Sequence, residues 1–189
     1  MTSKSCATDK SDQQLNNYSK PPVVIMADQH TPQQTRVAPD LPPKLAAIAH
    51  LFTDQMPFNR SLGLSIPYFT CDKVEVHFAM HEGLIGNPIQ RILHGGVTAS
   101  VLDVAGGLIA IANFLEKSDT MDQALLNKKL AKMGTIDMRV DYLRPGRGEH
   151  FVASAEVIRS GSRVSVCRME LHNEKGSQIA FGTGAYMMG

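Results

Sequence analysis

Between Val97 and Leu115 the chain carries one ionisable side chain, Asp103, in a run made mostly of Val, Ala, Leu, Ile and Gly. A helix that is apolar on every side must be wrapped by the rest of its fold, and a carboxylate inside one needs a partner. The run approaches membrane-spanning length, but Thr98, Ser100, Asp103, the Gly106-Gly107 pair and Asn113 interrupt it. A core helix from about Gly96 to Glu116 is therefore expected, and a membrane span is not.

Length and charge limit what surrounds that helix. The chain has 189 residues and a net charge of +1, enough for one domain with a real core and no electrostatic ground for a nucleic-acid or membrane-surface partner. Cys6, Cys71 and Cys167 are odd in number and widely spaced, which suggests neither a disulfide framework nor a zinc site and fits a reducing compartment. The apolar run Val23 to Ala27 is too short for a signal-peptide core, so a cytoplasmic protein is expected.

Residues 1 to 40 are rich in Ser, Asp, Gln, Asn, Lys and Pro without a sustained period and read as a disordered tail. Residues 41 to 56 form a helical extension. Pro42-Pro43 opens an amphipathic helix over 43 to 55 with Leu45, Ile48, Ala49 and Phe52 on one face, and Pro57 ends it. The main domain spans 57 to 189. An extended piece, Leu64 to Thr70, precedes a strand at 73 to 80, where Val74, Val76, Phe78 and Met80 alternate with polar residues including a solvated His77. Residues 81 to 92 read as a loop, and 117 to 132 as a short helix or a loop excursion. Four strands close the chain, at 134 to 144, 149 to 160, 163 to 172 and 177 to 187. Their expected inner faces begin with Ile136, Phe151, Ser165 and Ile179, the last continuing through Phe181, Thr183 and Ala185. Short turns between them make an antiparallel meander the economical topology, giving an α+β sheet curled around one helix.

The chemistry sits at the helix start. His94-Gly95-Gly96 delivers the chain to a helix N-terminus, whose unpaired N–H groups and positive dipole end suit a carbonyl oxygen gaining negative charge. On its own such a triplet is often only a turn, with the imidazole bonded to nearby backbone. Asp103 lies too deep in the helix to be an N-cap. It is either a structural carboxylate satisfied by a buried hydroxyl or amide, or a general base.

LHGGVTASVLD, the strand TIDMRVDYLRPG and the final AFGTGAYMM together resemble the hotdog-fold acyl-CoA thioesterases of the phenylacetate-pathway and 4-hydroxybenzoyl type, over roughly Pro57 to Gly189. The resemblance implies a hotdog fold, an antiparallel sheet wrapped around one long central helix. It also implies a homodimer or dimer of dimers with sites at the subunit interface, and an acyl-CoA substrate without metal or redox cofactor. Carried over by position, the helix acid is Asp103, acting as general base or nucleophile. The Gly95 N–H, with Gly96 as alternate, would polarise the thioester carbonyl, His94 would fix the loop and Thr135 would orient water. The family's Asn, six residues before the His, falls on Pro88, which makes neighbouring Asn87 the candidate. Arg144, Arg147 and Arg163 are candidates for CoA phosphates, against a plain role as solvated strand-end cations. Two other readings stand beside hydrolysis: an acyl-thioester dehydratase using His94 and Asp103, and a non-catalytic acyl-CoA binding or sensing module.

Overall fold

A computed structural model describes residues 36–118 and 122–189, so most of the expected tail lies outside the described residues. The folded body begins before residue 41. Val37 is buried, the Ile66 N–H donates to the Arg36 carbonyl at 2.6 Å and the Ala38 N–H to the Ile66 carbonyl at 3.2 Å.

Helix α1, Pro43–His50, buries Ile48 and Ala49, with Leu45 and Phe52 half-buried against the core as the spacing predicts. The helical extension then departs from expectation. It widens into a π turn, Leu51–Gln55, where the buried Thr53 hydroxyl donates to the Ala49 carbonyl at 3.0 Å. Pro57 opens a second helix, α2, Pro57–Ser61, because proline at a first helical position sacrifices no hydrogen bond. Strands β1, Ser65–Phe69, and β2, Val74–Ala79, follow. Val74, Val76 and Phe78 point inward, and the half-buried His77 lies 3.3 Å from Glu75 on the polar face. The expected loop at 81 to 92 contains a small hairpin, β3, Ile85–Asn87, with β4, Ile92–Leu93. Helix α3 is Gly95–Lys117, and α4, Gln123–Leu130, is capped by the Asp122 carboxylate.

The last four strands are β5, Gly134–Tyr142; β6, His150–Ser160; β7, Val164–Asn173; and β8, Gln178–Met187. With β1 and β2 they form an antiparallel six-stranded sheet in the order β1-β2-β6-β7-β8-β5. Only β6-β7-β8 is the expected meander. β5 pairs with β8, so residues 143–149, with Pro145 and Gly146, cross the sheet end instead of making a hairpin to β6. β5 is left as an edge strand. Its expected inner face is correspondingly half realised: Met138 and Val140 pack on the core, while Ile136 and Tyr142 are more than half exposed.

α3 lies in the concave face of the sheet, against β6, β7 and β8, with Val101, Leu102, Ala105, Leu108 and Ile109 fully buried. By length and composition it could cross a membrane, but it is the core helix of this sheet. The face of β8 that meets it is not the predicted one. Ala180, Gly182, Gly184 and Tyr186 point inward while Phe181 and Ala185 are half-buried and Thr183 exposed. Small residues are needed there because the Tyr186 side chain packs closely against Gly106 of α3 and Gly184 of its own strand. A Cβ on Gly106 would stand 2.0 Å from the Tyr186 hydroxyl.

Candidate active site

Asp103 is half-buried, not fully enclosed, because α3 leaves the sheet's cover where edge strand β5 passes. The Thr135 hydroxyl, at the start of β5, donates to Asp103 Oδ1 at 2.8 Å. On the other side the Tyr186 hydroxyl lies 3.4 Å from the Asp103 main-chain carbonyl and donates to it. Burial, and then the neighbouring Asp103 charge, push the Tyr186 phenol well above its ordinary range, so it stays a donor. Asp103 and Thr135 open onto a cavity of about 320 Å³ whose other walls include Phe52, Met56, Val104, Ile111 and Met133.

The His-Gly-Gly triplet forms the start of α3. His94 is the N-cap, its Nδ1 accepting the Gly96 N–H at 2.8 Å. The Gly96 amide is thereby taken, and the Gly95 amide is the one at this glycine pair left for an external acceptor. From the far end of β5, the Tyr142 hydroxyl donates to the Gly95 carbonyl at 2.8 Å and holds the Gly95–Gly96 peptide, next to that amide, in place. Gly95 lines a second hollow, with Thr98, Tyr142, Leu143, Arg144 and Ile179.

These two centres do not meet within one chain. Eight residues of α3 separate Gly95 from Asp103, about 12 Å of helical rise, and the two hollows share no lining residue. Of the remaining candidates, Asn87 lines neither hollow. Its Oδ1 accepts the Ile89 and Gln90 N–H groups, both at 3.0 Å, and so caps the turn after β3. Arg144 sits on the Gly95 hollow and donates to the Gln178 carbonyl at 2.8 Å, and Arg147 donates to Gln90 Oε1 at 2.8 Å. Arg163 is exposed in the β6–β7 turn, its carbonyl accepting the Met188 N–H, so it belongs to the Asp103 end of the sheet. Sequence reasoning assigned no site role to Tyr142, Tyr186, Met56 or Gly107. Tyr142 stands inside TIDMRVDYLRPG, but a strand tyrosine carries no signal of the carbonyl it will reach.

The thioesterase superfamily model matches residues 90–180, which span both centres. The medium/long-chain acyl-CoA thioesterase YigI of Escherichia coli strain K12 is 45% identical over 145 residues, covering 77% of this chain and 94% of that one. The chain belongs to the thioesterase superfamily. A Shewanella oneidensis protein related to the same superfamily has a crystal structure that superposes with a TM-score of 0.74 at 56% identity, covering 77% of this thioesterase and 95% of that chain. The Escherichia coli PaaI protein, from the phenylacetic acid degradation operon, superposes at 0.61 with 20% identity over 77% of this chain and 93% of its own, a likeness of fold. The hotdog resemblance is thus borne out for fold and family.

Proposed function

We propose that this protein hydrolyses medium- to long-chain acyl-CoA thioesters at composite sites, each formed by Asp103 and Thr135 of one protomer and the Gly95 amide of its partner. The observation that carries this reading is the Asp103–Thr135 pair at the head of a largely apolar cavity, with the oxyanion-type amide on the same helix but out of reach. A thioester carbonyl is only one bond long and cannot touch both ends of one protomer.

Strand β5 supplies a way to bring them together. It is an edge of nine residues without proline, while the other edge, β1, contains Pro67 and is covered by the Val37 bridge to Ile66. β5 carries Thr135 at one end and Tyr142 at the other. Antiparallel pairing of two β5 strands about a two-fold axis near Arg139, the middle of the strand, brings the Thr135 end of one copy beside the Tyr142 end of the other. Asp103 then faces the Gly95 loop of the partner subunit, and Arg163 shares a rim with the partner's Arg144 and Arg147, where CoA phosphates would bind.

In this site Thr135 holds Oδ1, leaving Asp103 Oδ2 to take a proton from water as the oxygen adds to the thioester carbon. The carbonyl oxygen becomes an oxyanion on the Gly95 N–H, fixed by Tyr142 and the His94 cap. Collapse of the tetrahedral intermediate breaks the C–S bond, and the proton on Asp103 passes to the CoA thiolate, giving acid and free thiol. Asn87 shapes the preceding turn. Free Cys71 and Cys167 fit a cytoplasmic setting.

The test is thiol release over an acyl-CoA panel with wild type and Asp103→Asn. The variant is expected to keep its fold and lose roughly a hundredfold to ten-thousandfold in kcat, the usual worth of a general base. Full turnover by folded Asp103→Asn would overturn the assignment.

A further inference from the structure

One face of α3 runs along the Asp103 cavity: Ser100, Asp103, Val104, Gly107, Ala110 and Ile111 all line it, at the spacing of a single helical stripe. The opposite wall is the helical extension, through Phe52, Met56 and Phe58. That wall is fastened. The Asn59 amide, almost fully buried, donates to the Phe52 carbonyl at 3.0 Å and to Met56 Sδ at 3.3 Å.

Within this stripe Gly107 is out of place. Glycine in a helix interior is less favourable than alanine, so it needs a compensating reason. Its neighbour Gly106 has one, the Tyr186 hydroxyl that would stand 2.0 Å from an added Cβ. Gly107 has none: an added Cβ would meet only Tyr186 Cε1, at 3.9 Å, and its φ is not in the left-handed region. What a side chain at 107 would fill is the cavity, one turn beyond Asp103.

Resting on the function proposed above, we infer that Gly107 is the specificity-determining residue that keeps an acyl channel open between α3 and the helical extension. A straight saturated chain leaves the thioester at Asp103, passes over Gly107 and ends at Ile111. Eight residues of helix give about 12 Å, the extended length of roughly ten carbons. Phe52, Met56 and Phe58 close the channel from the other side, so the N-terminal extension takes part in choosing the substrate.

The experiment compares wild type, Gly107→Ala and Gly107→Leu for kcat/KM on butanoyl-CoA and dodecanoyl-CoA. The dodecanoyl-to-butanoyl ratio is expected to fall several-fold for alanine and by roughly tenfold or more for leucine. Folding is checked by thermal denaturation, and if leucine does not fold, the alanine ratio decides. An unchanged ratio in a folded variant, or equal losses on both substrates, overturns the proposal. A second readout separates it from the catalytic reading: dodecanoyl-CoA binding by calorimetry in the Asp103→Asn background. If wild type hydrolyses nothing but Gly107→Leu weakens that binding tenfold, the hydrolase reading fails and the channel stands. Equal binding with and without the leucine rejects the channel.

Discussion

Gly106 and Gly107 are neighbours on α3 with opposite prospects on gaining a methyl group. At Gly106 a Cβ collides with the Tyr186 hydroxyl, so Gly106→Ala is expected to cost roughly 1–3 kcal/mol as overpacking and to disturb the Tyr186 bond to the Asp103 carbonyl. At Gly107 the added methyl meets nothing closer than 3.9 Å, and alanine is expected to stabilise the helix by about 0.5–1 kcal/mol, roughly 1–4 °C in Tm. Thermal denaturation of the two variants checks both signs. The proposed oxyanion amide permits a similarly clean change. Gly95 is the first residue of α3 and His94 before it is extended, at φ −65° and ψ 133°, so Gly95→Pro fits the backbone while deleting one N–H. It is expected to lower kcat roughly a hundredfold or more with little change in Tm. At this scale the sequence marked Asp103 and the His-Gly-Gly triplet as candidates, because a charge in an apolar run and a glycine pair before a helix each carry a physical signal, whereas Thr135 entered only through the family resemblance. It read Gly106 and Gly107 only as interruptions, since the Tyr186 ring that distinguishes them arrives from eighty residues away.

Among elements, the strands were legible and their neighbours were not. Alternation of side chains marked β5, β6 and β7, but a period of two says nothing about which strand lies alongside, and the short 143–149 link looked like a hairpin although it crosses the sheet end. In β8 the alternation pointed to the wrong face, because the inward residues are Ala and Gly, chosen for thinness instead of hydropathy. The edge position of β5 yields a prediction of its own. With the proposed two-fold, Ile136 lies in the seam between the two β5 strands. Ile136 is about half exposed in the protomer, so Ile136→Asp is expected to leave the fold intact while placing a charge in that seam and blocking strand pairing. Sedimentation should show a shift to monomer, accompanied by loss of turnover. A fully associated, active Ile136→Asp protein would argue for another interface.

For the molecule as a whole, the wrapped helix makes stability sensitive to alkali. Cys167 faces α3 from β7 and burial pushes its thiol from an ordinary 9.0 up to about 12, while Tyr186 is pushed above its ordinary 10.0 by burial and by Asp103. The folded chain holds both protons where the unfolded chain releases them. The associated stability is therefore whole below pH 9 and is lost as pH climbs from about 9 towards 12. Tm followed by circular dichroism should fall above pH 9, and less steeply in Cys167→Ala than in wild type; equal slopes would exclude the thiol as a source. The overall wrapping was foreseeable from one apolar run of helical length, whereas the division of the site between the two ends of that helix depends on which strand passes each end. That division has a genetic signature. Because β5 holds Asp103 with Thr135 at one end and the Gly95 carbonyl with Tyr142 at the other, Asp103→Asn and Gly95→Pro are expected to damage different halves of each proposed composite site. Two inactive proteins, unfolded together and refolded as a mixture, would form hybrids in which one of the two sites receives both intact halves. Complementation to roughly a quarter of wild-type turnover is the expected yield for random pairing about a two-fold axis.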